Sequence, residues 1–243
     1  MTARNLVVAF SALALAAASF TASADILFAN LGTGAPPATV GGHVLTPFDQ
    51  AAQASIADYT TGISVIPGSP VAGSLGISPT ADKRTVGVSW WAGNTAAWGH
   101  GYTGPVFYVQ ARPVVLTLPA NTQAFYFYVQ QDQGGTFNVS ATTNSGVTSG
   151  AVPVLSGPSG SANGFAFYST AGETITSISI SNDAPSFPGM AIAEFGISGA
   201  AQQTCASEGY TGTQLTWCRN ICEMGYTGST LSTWIRRWTD RYR

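Results

Sequence analysis

From Asp25 to Ile197 the apolar side chains recur at every second position in short runs, and this alternation narrows what the chain can become more than any other feature. Phe137, Val139 and Ala141 alternate with Asn138, Ser140 and Thr142, and Ile178 and Ile180 alternate with Ser177, Ser179 and Ser181. A strand turns successive side chains to opposite faces, so these runs are strands with one buried face. The run from Ala124 to Val129 is apolar at every position and belongs in the middle of a sheet or beneath a second layer. Gly, Pro, Asn and Ser break the runs at intervals too short for a capped helix of ordinary length. About ten strands are predicted, near Ile26, Val44, Ile63, Leu75, Val86, Phe107, Val115, Phe125, Phe137, Phe165, Ile178 and Ile192, some of these merging. Two packed antiparallel sheets would hold them, as a jelly-roll-like β-sandwich over residues 25–198. The segment Asp49 to Ala54 reads as a helical turn or a poorly paired strand. Gly32 to Gly42 and Val154 to Gly164 read as loops, being dense in Gly, Pro and Ser.

The two ends differ from this middle. Arg4, the apolar run Leu6 to Ala17 and the small residues Ala22-Ser23-Ala24 have the three parts of a secretory signal, with cleavage expected after Ala24. The apolar run is shorter than the roughly 20 residues that span a bilayer, and no later stretch is long enough either. The expected location is therefore the periplasm, the cell surface or the medium. From Thr213 onward the period becomes helical: Leu215, Cys218, Ile221 and Cys222 share one face, then Leu231, Trp234, Ile235, Trp238 and Tyr242 form a second stripe opposite Arg236 and Arg237. Gly209-Tyr-Thr-Gly212 returns as Gly225-Tyr-Thr-Gly228 at the head of each helix. Residues 199–243 are thus expected to form a helical hairpin, with Trp234, Arg236, Arg237 and Trp238 as a face for interaction. It holds all three cysteines, Cys205, Cys218 and Cys222. In an oxidising compartment these are disulfide candidates, with one left over.

Charge separates the parts again. Residues 25–195 carry three basic residues against eight acidic ones, a net charge of −5; from Gly196 onward five arginines face three acids, a net charge of +2. Neither part has the Lys/Arg-rich face of a nucleic-acid binder. Gly99-His-Gly-Tyr-Thr-Gly104 spells a dinucleotide fingerprint, but Pro105 and a strand follow it where that fingerprint needs a helix, so it reads as a turn. There is no G-x-S-x-G and no H-E-x-x-H, and no catalytic residue is assigned. A site combining a serine with His100 and Asp82 is the form an unrecognised hydrolase would take. The scattered acids, Glu173 and Glu194 among them, read as solvated turn and edge residues. Asn182-Asp183 and Gln131-Asp132 offer oxygens for Ca²⁺ without the dense spacing of a calcium loop, and read first as self-bonded turns. The three tail cysteines lack the fourth ligand of a zinc site. Trp90, Trp98, His100 and Tyr102 are the candidate ligand-binding residues, since flat rings beside a few polar groups suit sugars. Core packing is the competing use of the same rings.

The segments Trp98 to Tyr108, Leu116 to Pro119, Ala124 to Phe127, Gly164 to Tyr168, Ile178 to Ile180 and Met190 to Gly196 resemble exported PEP-CTERM proteins of proteobacteria. The resemblance covers most of residues 25–197 and implies a sandwich sorted to the cell surface or the extracellular matrix. The family's Val-Pro-Glu-Pro motif and apolar anchor do not occur here, and the cysteine hairpin stands in their place. That hairpin resembles short cysteine modules of other exported bacterial proteins, and implies a further cysteine beyond Arg243. The expectation is a non-enzymatic surface or matrix protein whose tail serves attachment, sorting or interaction. Binding of a polysaccharide or other cell-surface component through the aromatic loop is the alternative, and a hydrolase is the second alternative.

Overall fold

The structure is a computed structural model and describes residues 25–157, 159–186, 189–199, 210–222 and 228–242. The signal segment and Cys205 lie outside the described residues.

Among the described residues fourteen strands and three helices follow one another: β1 (Ile26–Gly32), β2 (Thr39–Val40), β3 (His43–Val44), β4 (Thr46–Pro47), α1 (Gln50–Ala54), β5 (Ile63–Ile66), β6 (Leu75–Thr85), β7 (Pro105–Val109), β8 (Val114–Thr117), β9 (Thr122–Gln131), β10 (Gly135–Thr143), β11 (Val152–Ser156), β12 (Asn163–Ser169), β13 (Ser177–Asn182), β14 (Met190–Gly199), α2 (Gly212–Cys222) and α3 (Gly228–Tyr242). All the ladders between named strands are antiparallel. One layer runs β1-β12-β9-β14-β7-β6 with β4 added on β14, and the other runs β6-β8-β13-β10-β11 with β5 added on β6. β6 belongs to both. Gly76 to Ser78 pair with β8, while Asp82 to Thr85 pair with β7, so this long strand crosses from one layer to the other.

Alternation decides what fills the space between the layers. On β9, Phe125, Phe127 and Val129 face inward, where they meet Phe165 and Phe167 of β12, Ile178 and Ile180 of β13, and Leu116 of β8. Each fully buried Phe or Ile contributes about 1.5–3 kcal/mol relative to exposure. The opposite face of the first layer is also covered. Ala124, Tyr126 and Tyr128 of β9, Ala166 of β12, and Ala191 and Ala193 of β14 pack there beneath Val86, Trp90 and Trp98 of the segment between β6 and β7. The first layer therefore carries a second, smaller core on its outside, which accounts for the run from Ala124 to Val129 being apolar at every position.

One local expectation changes and one open reading is decided. Val152 to Ser156 forms the edge strand β11, although residues from Val154 onward read as loop; Pro153, which lacks an N–H, fits because an edge strand has one unpaired side. Asp49 to Ala54 resolves as a helical turn: the Asp49 carboxylate accepts from the Ala51 N–H at 2.9 Å and caps α1. In the tail, α2 and α3 form the hairpin. Trp217 meets Trp234 at 6.5 Å between ring centroids, and Tyr210 meets Trp238 at 5.3 Å. Arg236 and Arg237 are exposed on the outer side, with the Arg237 guanidinium 5.2 Å from the Trp234 ring. Cys218 is disulfide-bonded; the side chain of Cys222 lies outside the described residues. Among the described residues no helix is long and apolar enough to cross a membrane.

Candidate functional site

A bulge in β14 creates the site. Ala193 pairs with Tyr128 of β9 and Gly196 pairs with Tyr126, so three steps along β14 match two along its partner. One residue is extra. Ile192 and Phe195, three apart, both face the inner core, and Glu194 is turned to the outer face with φ +52°. A bulky residue in this left-handed region costs about 1 kcal/mol, and such strain concentrates at functional positions.

Glu194 was expected to be a solvated edge residue and is instead 7% exposed. Its surroundings explain how a carboxylate tolerates that. The Trp98 indole N–H donates to Oε2 at 2.6 Å, and His100 Nε2 lies 2.9 Å from both carboxylate oxygens. His100 Nδ1 faces the Thr33 carbonyl at 3.2 Å. A neutral imidazole has one N–H, so satisfying both contacts takes two protons shared between ring and carboxyl. Burial pushes the Glu194 carboxyl above the usual carboxylate range; the hydrogen bond and charge of His100 and the Trp98 N–H oppose that shift without cancelling it. His100 is itself held at φ +34°. Two strained residues from distant parts of the chain thus meet in one hydrogen-bonded contact.

Glu194 opens on a pocket of about 420 Å³ lined by Pro36, Pro37, Ala38, Leu45, Pro47, Gln50, Tyr102, Tyr126 and Phe195. That volume falls within the range of small-molecule sites, and apolar walls with a few convergent polar groups are their usual make-up. The Tyr102 hydroxyl has one proton to share between two acceptors, the Pro105 carbonyl at 2.6 Å and Gln50 Oε1 at 2.8 Å. Tyr126 lies flat against Gly196, where a Cβ would stand 2.0 Å from its ring. Burial and the charge of Glu194 push the Tyr102, Tyr126 and Tyr128 hydroxyls above the usual phenol range, so all three stay protonated as donors.

The sequence-derived candidates divide. His100 and Tyr102 contribute to this site. Trp90 and Trp98 are 6% and 0% exposed and offer no ring face to a ligand. Trp98 acts through its N–H on Glu194; Trp90 and Trp91 both donate to Gln130 Oε1, at 2.7 and 3.0 Å, and Gln130 in turn donates to the Ala97 carbonyl at 2.7 Å. This ladder fixes the loop that presents His100 and Tyr102. Trp234, Arg236, Arg237 and Trp238 lie in the tail, on α3. Asp82 pairs with Arg84 at 3.3 Å rather than with His100. Asp183 accepts the backbone and side-chain N–H of Asn138, both at 2.8 Å, and Asn182 accepts from Arg112 and from the Ala184 N–H, both at 3.1 Å, so these oxygens are engaged. Gln131 and Asp132, as neighbours on β9 and its end, point to opposite sides. Among the described residues no three His, Cys, Asp or Glu side chains gather as a metal site would require.

No protein-family model matches the chain, and no curated protein does. Two solved structures from Clostridium thermocellum are similar over part of it. One is the endo-1,4-β-D-xylanase 10B fragment with its CBM22-1 and GH10 modules complexed with xylohexaose, at 11% identity and TM-score 0.29, covering 49% of this chain and 25% of that one. The other is the C-terminal family 22 carbohydrate-binding module of Xyn10B, at 13% identity and TM-score 0.28, covering 59% of this chain and 96% of that one. This chain spans a quarter of the first structure's length. At these TM-scores no residue is carried across from either.

Proposed function

We propose that this protein is an exported β-sandwich of the cell surface or extracellular matrix that binds a neutral sugar in the Glu194 pocket without transforming it, the tail hairpin serving for attachment. The observation that carries the reading is the Glu194 carboxylate itself, buried, oriented by Trp98 and His100, and facing a pocket otherwise walled by prolines and aromatic rings. A carboxylate has about four lone-pair positions. Trp98 and His100 take up those on one side, leaving acceptor capacity for the pocket. Adjacent sugar hydroxyls both donate and accept, which suits Glu194 beside the Gln50 amide and the Tyr126 hydroxyl. The lining holds one carboxylate and no cation. Glycoside hydrolysis by the common route needs two carboxyl groups flanking the bond, so the arrangement favours binding over cleavage, and neutral sugars over acidic ones.

The test is a glycan array and polysaccharide pull-down with the full secreted chain, repeated with Glu194→Gln. The expected result is retention of neutral glycans by the wild type and loss of at least about tenfold in affinity, or about 1.4 kcal/mol, in a variant that melts cooperatively. A folded wild-type protein that retains no glycan refutes the proposal.

A further inference from the structure

On the surface near β6, one exposed aromatic residue is held tightly in place. Tyr59 is 63% exposed, yet its backbone sits at φ +66°, a conformation that bulky residues avoid. Both of its neighbours are anchored. Asp58 accepts from the Lys83 ammonium, the Thr85 hydroxyl at 2.7 Å and the Ser89 hydroxyl at 2.5 Å. On the other side, the Tyr59 N–H donates to the Lys83 carbonyl and the Lys83 N–H donates to the Thr60 carbonyl, both at 2.9 Å. Beneath the ring lies the Arg84 guanidinium, 4.2 Å from its centroid, and Arg84 is braced by Asp82 at 3.3 Å. One Arg84 N–H nitrogen, Nη1, is buried without an acceptor.

A surface tyrosine with no task lies down on whatever apolar surface is near it and is free to change rotamer. Tyr59 is instead clamped in a strained backbone, seated on a cation, and left with its other face open. That is the construction of a stacking platform: the ring's position is fixed before a ligand arrives, so little conformational freedom is lost on binding. Strand pairing connects the strand beneath it to the pocket wall. Arg84 is followed by Thr85, which pairs with Pro105 of β7, and the Pro105 carbonyl is one acceptor of the Tyr102 hydroxyl in the pocket wall. The segment that carries Gln50 into the pocket also carries Tyr59.

We infer that Tyr59 is a second sugar-binding position, on whose open face a pyranose ring of an oligosaccharide stacks while the Arg84 guanidinium holds the tyrosine ring from beneath. This rests on the sugar-binding reading of the Glu194 pocket and extends it from one sugar unit to a chain. The probes are neutral β-linked gluco-, xylo- and manno-oligosaccharides, each beside its own monosaccharide, titrated calorimetrically into the full chain and into Tyr59→Ala, Tyr59→Phe and Glu194→Gln. Tyr59→Ala is expected to weaken oligosaccharide binding about fivefold or more and to leave monosaccharide affinity unchanged. Tyr59→Phe should keep the wild-type values, and Glu194→Gln should weaken both ligand sizes. Equal oligosaccharide affinity in wild type and Tyr59→Ala overturns the platform while leaving the pocket standing. A wild type that binds none of these sugars overturns both.

Discussion

Gly196→Ala connects the strand bulge, the tyrosine wall and the pocket in a single substitution. Gly196 needs no left-handed backbone, so an alanine would fit its own φ and ψ, and the strand would gain about 0.5–1 kcal/mol from the lower entropy of the unfolded chain. Its Cβ, however, would stand 2.0 Å from Tyr126 Cε1 and 2.2 Å from Cζ. Tyr126 is 2% exposed, with Tyr128 edge-on at 6.3 Å, so its ring has no vacant space to enter except the pocket. Forcing a side chain out of a packed position costs about 1–3 kcal/mol. The net expectation is a loss of about 1–2 kcal/mol, which for a domain of this size lowers Tm by about 3–6 °C. Because the displaced ring moves into the pocket, sugar affinity should fall by at least about tenfold. Differential scanning calorimetry followed by calorimetric titration on the same sample reads both quantities. A variant as stable as the wild type and with unchanged affinity would refute the claim that Gly196 exists to seat Tyr126.

Two further predictions concern pH. Glu194 has its folded pKa raised above the unfolded value of about 4.5, so its contribution to stability is present below that value and is lost as pH rises through the folded pKa; Glu194→Gln should therefore gain stability relative to wild type as pH rises across that window, in paired urea melts, and a pH-independent difference would contradict its burial as an acid. Asp58 is pushed up by burial but held on balance below the usual range by hydrogen bonds from Lys83, Ser89 and Thr85 and by the Lys83 charge. Its contribution is present above the unfolded pKa near 3.8 and is lost as pH falls through the lowered folded value. Asp58→Asn should be less stable at neutral pH and should show a shallower acid limb, and identical acid limbs would count against the network.

The sandwich was legible because alternation is a direct consequence of strand geometry, and Phe137 to Thr143 or Ser177 to Asn182 allow few other readings. The site was only half legible. His100 and Tyr102 stood out as polar groups among rings, but Trp90 and Trp98 in the same cluster are buried, since sequence does not say which rings a loop folds beneath itself. Glu194 was missed because a single acid in a strand reads as an edge residue. A signal was present: Ile192 and Phe195 are three apart in a strand where core residues should be two apart, and an extra residue in β14 is what turns Glu194 outward. Pro36 and Pro37 come from the loop before β2, Pro47 from β4 and Gln50 from the start of α1, and no local pattern links them. The tyrosines hid a further regularity. Tyr126, Tyr128, Tyr168, Tyr102 and Tyr108 each rest on a glycine, at 196, 164, 41, 104 and 189, where a Cβ would meet the ring; Tyr102 and Gly104 are near neighbours in one loop, and the other four pairings, across the fold, become visible only once the chain is folded.

Whether a sugar enters the Glu194 pocket is the central matter, and a ¹H–¹⁵N NMR titration of the wild-type protein with the best-retained glycan addresses it directly. The Trp98 indole N–H, which reports on Glu194, and the Gln50 side-chain amide are expected to shift together and saturate with one dissociation constant. Saturating shifts elsewhere, with both of these signals unmoved, would contradict the account.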